Sequence, residues 1–346
     1  MAHEVETAAI YGGAWHNAGK RVDHLMNVAE ALEEAGLANW AMEKRELYSL
    51  NRETGLFEIA PDIFEHVRAK DGTRMGYVGG QYETFHNENL ADIFSLLVDK
   101  NGLNVAKMQT AGSLRDGKRV WMLMSLPDSG FTVGNNKHPI IPFLLGTNAH
   151  DGTSAARFLP TTVDVVCMNT LNAALGQAYA DIAVSLRHSG DMDAKILAVQ
   201  KMLAEAATVF GDFKVKADAL DDVGVSKGAY EEVVDFLFPQ IDITKQGKRA
   251  IENRQSQILA LTQALAEEVK LLPQYTLTSL DAGRGFSYWT LLSAVTRFTT
   301  HNQPVLRKAA GRDEGEVRFE RQLLGTGAEF NARATTKILE LAGVPA

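Results

Sequence analysis

Apolar residues recur along this chain at two periods, and the change from one to the other organises it. From Val22 onward Leu25, Val28, Ala29 and Leu32 fall at helical spacing and stop at Gly36, a residue suited to the left-handed conformation that closes many helices. The next stretch, NWAMEKRELYSLNRETGLFEIA, alternates, breaks at the polar NRETG and resumes at Leu56, which predicts a hairpin. RMGYVGGQYETF predicts another strand. Behind a cap at Asn87, the positions Leu90, Ile93, Phe94 and Leu97 mark one face of a helix.

Between Asn101 and Gly190 the pattern is the most regular. NVAKMQTAGSL and RVWMLMSLP flank Asp116-Gly117, and HPIIPFLLGTNAH and SAARFLPTTVDVVC flank Asp151-Gly152. Asp-Gly between alternating segments is a hairpin signal, because both residues tolerate positive φ. MNTLNAALGQAYADIAVSL follows, with Leu171, Ala174, Leu175 and Ala178 on one helical face. Four strands and a helix in this order predict a sheet backed by a helix.

After the turn-like HSGDMD the period becomes helical: Ile196, Val199, Leu203, Ala206 and Phe210, then YEEVVDFLF, RQSQILALTQALAEEVKLL and SYWTLLSAVTRFTTHN. The expected fold class is α+β, an antiparallel sheet of consecutive hairpins backed by helices and followed by a mainly helical C-terminal half. The boundary near Ser189 to Asp193 gives a sheet domain over 1–190 and a helical region over 191–346. In the long helix Ile258, Leu261, Leu265, Val269 and Leu272 make a stripe near heptad spacing. Such a stripe suits a partner chain, but packing within the same chain is its commoner use.

Composition narrows the function classes. With 346 residues, 45% hydrophobic and 23% charged, the chain is ordinary globular material with room for a substantial core. A net charge of −8 argues against coating a duplex or an anionic membrane with the whole surface. The charge is uneven, however. From Lys100 to Gly190 there are eight basic and five acidic residues, +3, which leaves −11 for the remainder. A single cysteine forms no intramolecular disulfide and no Cys-x-x-Cys pair, and the sequence has neither a secretory start nor an apolar run of membrane-spanning length. A cytoplasmic protein of the host cell, without membrane contact, is expected.

Three clusters invite a chemical reading. His150-Asp151 resembles a metal or catalytic pair, yet the other histidines stand at no spacing that one helix or hairpin brings together, and Asp151-Gly152 reads better as a turn. Cys167 would be a nucleophile if a helix start and a histidine activated it. Inside VDVVC it reads better as a small buried hydrophobe. GTGAEF lacks the third glycine and the preceding strand of a dinucleotide loop, and there is no Walker loop, Gly-x-Ser-x-Gly elbow or His-Glu-x-x-His. Neither a cofactor nor a metal is expected. What remains is SLRDGKRVW, a basic hairpin tip with Trp121 just inside, the combination that suits a phosphate backbone and stacked bases.

The segments AHEVET…WHNAG, YETFHNENLADIF, TAGSLRDGKRVWMLMSLP, NAHDGTSAARFLPTTVDVVCMNTLNAAL and YWTLLSAVTRFTTH resemble, in this order, the phage- and plasmid-like proteins defined by domain of unknown function 932. That resemblance implies a role in mobile-element DNA metabolism, defence or host takeover. The order of hairpins and helix, with a helix before a Trp-containing strand in GKRVDHLMNVAEALEEAGLANWAMEKREL, is similar to the Rad-fifty-two-type single-strand annealing proteins. It implies rings that bind single strands in a basic groove.

The leading expectation is a phage-encoded, ATP-independent protein that binds and anneals single-stranded DNA as a homo-oligomer. Lys107, Arg115, Lys118, Arg119, Lys137 and Arg157 would contact phosphates, and Asn148, His150 and Ser154 would face the bound strand. Trp121 or Phe158 would stack on bases or belong to the core. The alternatives are a non-enzymatic protein that binds and redirects a host factor through its acidic helical half, and an enzyme using His150, Asp151 and Cys167.

Overall fold

The computed structural model describes residues 5–11, 20–100, 107–126, 130–134, 140–164, 184–186, 192–242, 247–272, 286–305, 314, 317–318, 321 and 326–345. Its main sheet has seven strands: β1 (Val5–Tyr11), β2 (Lys20–Val22), β6 (Lys107–Leu114), β7 (Arg119–Ser125), β8 (Ile140–Ala149), β9 (Ala156–Asp164) and β10 (Val184–Leu186). They lie side by side in the order β10-β9-β8-β7-β6-β1-β2. The four central strands are the two expected hairpins, and every pairing is antiparallel except β1 with β2. A second sheet of three strands, β3 (Met42–Leu50), β4 (Phe57–Arg68) and β5 (Thr73–Gly79), stands beside it in chain order.

Two sequence expectations change here. The first helix, α1 (Val28–Glu34), starts well after Val22, because Asn27 and Glu30 form a capping box that fixes its first turn. The residues Val184–Leu186, placed by periodicity at the end of a helix, form β10 and pair with Ala156 to Phe158. Cross-strand pairing overrides the local period there. The rest of that expected helix lies outside the described residues.

Helix α2 (Asn87–Lys100) covers one face of the sheet, with Leu90, Ile93, Phe94 and Leu97 buried as their spacing requires. Its close approach depends on Gly146 in β8. A Cβ there would stand 2.7 Å from the Phe94 ring and 3.1 Å from Leu90. The C-terminal half is helical: α3 (Met192–Asp221), α4 (Lys227–Leu237), α5 (Lys248–Lys270), α6 (Tyr288–Arg297), which runs into a π turn over Phe298–Asn302, and α7 (Thr326–Ala342). The α5 stripe serves the core, since Leu261, Leu265 and Val269 are all buried, and Arg297 of α6 donates to Glu268 of α5 at 2.7 Å.

The buried apolar cluster is continuous from Met26 in the sheet half to Leu339 in α7. Among the described residues no helix is long and apolar enough to cross a membrane.

Candidate functional site

The small sheet, the start of α2 and the tips of two main-sheet hairpins converge around residues 148–154. Gly76 of β5 lets the backbones meet: a Cβ would stand 2.7 Å from the Asp151 carbonyl oxygen. Asp151 and Gly152 form the expected turn, with Gly152 at φ 74° and the Asp151 carboxylate accepting from the Thr153 amide at 3.0 Å. His150 donates its backbone N–H to the Lys118 carbonyl at 2.9 Å, tying the two hairpin tips together. Arg119 completes the tie, lying 3.2 Å from the Asp151 carboxylate and donating to Ser154 Oγ at 3.1 Å and to Thr153 Oγ1.

Beneath the tips runs a buried polar network with readable proton positions. Asn87 donates Nδ2–H to the Leu37 carbonyl at 2.9 Å, so its Oδ1 is the acceptor for His150 Nε2, also at 2.9 Å. His150 therefore carries its proton on Nε2. His66 stands 2.7 Å through Nδ1 from the His150 carbonyl, which only accepts, so Nδ1 donates, and its Nε2 lies 2.9 Å from the Thr84 hydroxyl.

Aromatic rings enclose the pair. Tyr82 meets His66 edge-on at 5.2 Å, Trp40 lies 5.8 Å from His150, and the Arg68 guanidinium sits 4.5 Å over Trp40. Asp71 holds that guanidinium from both carboxylate oxygens, and the hydrogen bonds from Arg68, with one from the Thr73 amide, keep its carboxyl far below the usual range.

Burial pushes the His66 pKa down, and the nearby His86 and Lys44 push the same way, against the hydrogen bond to the His150 carbonyl. The unfolded imidazole titrates near pH 6.5. Its folded value is lower, so the contribution of His66 to stability is fully present above about pH 6.5 and is lost as pH falls toward the folded pKa. Melting temperature should therefore drop between pH 7.5 and 5.5, and His66→Gln should flatten that slope; an unchanged slope would show that His66 does not set it.

The candidate residues of the sequence fall into distinct places. Arg115 and Lys118 are partly exposed in the β6–β7 turn, where Arg115 and Asp116 both take positive φ, and Arg157 is exposed on β9. Arg157 pairs with Thr147, two residues inward of the Ala149 that faces Arg119, so it lies two strands across from the Arg119 edge, about 10 Å away laterally. Lys107 sits opposite Ser125 at the other end of β6 and does not join them. Lys137 and Cys167 lie outside the described residues.

Asn148 and His150 face inward. Asn148 is buried, bonded to the Phe85 carbonyl at 2.7 Å and to the Ala149 amide at 2.8 Å, and His150 is fully buried. As placed, both hold the chain together and neither is offered to a ligand. Ser154 is partly exposed and accepts from Arg119 at 3.1 Å. Trp121 and Phe158 are core residues. Sequence reading missed His66 and Asn87 as a bridge, whose partners come from distant segments, and Arg68, which binds the nearby Asp71 and lies over Trp40.

Among the described residues no three His, Cys, Asp or Glu side chains are placed to hold a metal. A family model described as Domain of unknown function (DUF932) matches residues 74–324. The chain belongs to this DUF932 family. No curated protein and no solved structure matches it. The DUF932 match opens at Arg74 in β5 and takes in both central hairpins, so the tie between Arg119 and Asp151 lies within it and the β3–β4 hairpin precedes it.

Proposed function

We propose that this DUF932 chain is a phage-encoded protein that binds and anneals single-stranded DNA, without ATP and as a homo-oligomer. The supporting observation is the set of Arg115, Lys118 and Arg157 toward one end of a sheet of antiparallel hairpins, in a stretch, residues 100–190, that carries +3 within a chain of −8. Arg119, held by Asp151 and Ser154, is the rigid support of that end and not a contact. Cations set roughly 10 Å apart on a fixed sheet suit a flexible phosphate chain passing over them.

Annealing needs only that each strand be held by its backbone with its bases left readable. Phosphate contacts supply that hold without reading sequence. Binding of a labelled 30-nucleotide strand should weaken steeply from 50 to 300 mM NaCl. Exchanging Arg115, Lys118 and Arg157 together for alanine should weaken it about 10- to 100-fold and reduce the log–log salt slope by about 2, the three phosphate contacts at ~0.7 each. Complementary strands should pair faster with the protein than without it in the absence of ATP. Absence of salt-sensitive binding at micromolar protein would end this reading.

A further inference from the structure

The β3–β4 hairpin extends past the body as an arm with two unlike faces. On β3 the residues Met42, Lys44, Glu46, Tyr48 and Leu50 point one way, as the bond from Tyr48 Oη to Glu46 at 3.1 Å attests. Their cross-strand partners are Arg68, His66, Phe64, Ile59 and Phe57. At its base this inner face is buried, with His66 and Arg68 in the network beneath the hairpin tips. Beyond Glu46 the same face continues as Tyr48, Leu50, Phe57 and Ile59, exposed by 57%, 53%, 73% and 55%. The outer face is more polar, carrying the ion pairs Arg45–Glu43 and Arg74–Glu65 beside two half-exposed apolar residues, Ile63 and Tyr77.

We infer that the apolar inner face of this arm is covered by a second copy of the chain, in a two-fold contact to which both arms contribute. Four large side chains more than half exposed leave roughly 500 Å² of apolar surface on one face, at the upper end of what a monomer leaves open. Two such faces bring roughly 1,000 Å² into one contact, about the floor that a specific interface must clear, before the edge of β3 adds to it. A two-fold contact is self-complementary by construction, so one patch serves as its own partner. The arm is unsuited to an anionic partner: residues 42–68 hold six carboxylates against four lysines and arginines, a net −2, so neither a phosphate backbone nor an acidic lipid surface is attracted to it. In the order β3-β4-β5, β3 is an edge strand, which leaves its outer side open to the same partner.

This inference rests on the homo-oligomer of the proposed function and gives it an interface, and the test keeps it separate from nucleic-acid binding. Sedimentation equilibrium of the full chain between 1 and 100 μM, with no nucleic acid, should give a dimer or a multiple of it that persists in 1 M NaCl. The variant Phe57→Asp/Ile59→Asp, altered only at exposed positions, should keep its melting temperature and weaken association at least 100-fold. Wild-type protein that stays monomeric to 100 μM, or a variant that assembles as the wild type does, overturns the proposal. So does a monomer whose arm variant loses binding to neutral lipid vesicles, which would assign the face to lipid. Salt-sensitive DNA binding that survives in the monomeric variant would leave the nucleic-acid reading standing on its own.

Discussion

Phe94→Ala should destabilise the protein by about 3–5 kcal/mol, the range for emptying a fully enclosed aromatic site. The Phe94 ring has no exposed surface, packs 5.4 Å from the Phe158 ring, and lies where a Cβ on Gly146 would intrude at 2.7 Å. That geometry gives a second, sharper expectation. Gly146→Ala alone should cost about 1–3 kcal/mol by overpacking, because the new methyl meets a ring held between helix and sheet. With Phe94→Leu in the same molecule the two changes relieve one another, and the double variant should lose less than the sum of the singles by about 0.5–3 kcal/mol. Urea denaturation of the four proteins measures the cycle. Strict additivity would mean that α2 does not rest on Gly146.

Asn87→Ala should cost about 3 kcal/mol. The substitution removes the acceptor of His150 Nε2–H and the donor to the Leu37 carbonyl, and both residues left behind are fully buried. Each stranded polar group costs about 1–3 kcal/mol when water cannot replace the lost partner. Alanine is the best helix former, so α2 itself is not weakened and the loss reports on the network alone. Asn87→Asp should be no better, since a carboxylate still accepts from His150 but presents only repulsion to the Leu37 carbonyl. A loss below 1 kcal/mol for the alanine variant would show that water enters and satisfies these groups.

Local chemistry made much of the fold legible. The Asp-Gly pairs at 116–117 and 151–152 announced two hairpins, and both sit in turns with positive φ at glycine. The spacing of Leu90, Ile93, Phe94 and Leu97 gave the buried face of α2. What was not legible depends on partners far along the chain. Asn87 looks like a helix cap because Asn favours that position, but its side chain bridges residues 50 and 63 positions away. His150, at a strand end before a turn, looks like a polar tip. It is buried because β5 and α2 close over it, and its carbonyl is met by His66 from 84 positions away. Arg119 reads as a phosphate ligand for the same reason, until Asp151 is placed beside it. A polar residue at a turn has two fates, solvent or a partner, and only the tertiary fold chooses between them.

The place of β1 in the main sheet bears on how the chain is made. Val5 pairs with Leu114, and β1 takes its position only beside β6, more than a hundred residues later. At synthesis rates of about 5–20 residues per second, the first strand leaves the ribosome roughly 5–20 seconds before the strand it must join. During that interval only the three-residue β2 is at hand to pair with β1, and the hairpin of β6 and β7 is the template that captures it. The step that joins β1 to the sheet is therefore a late, long-range closure, set by the slow search for distant contacts more than by the quick zippering of the hairpins.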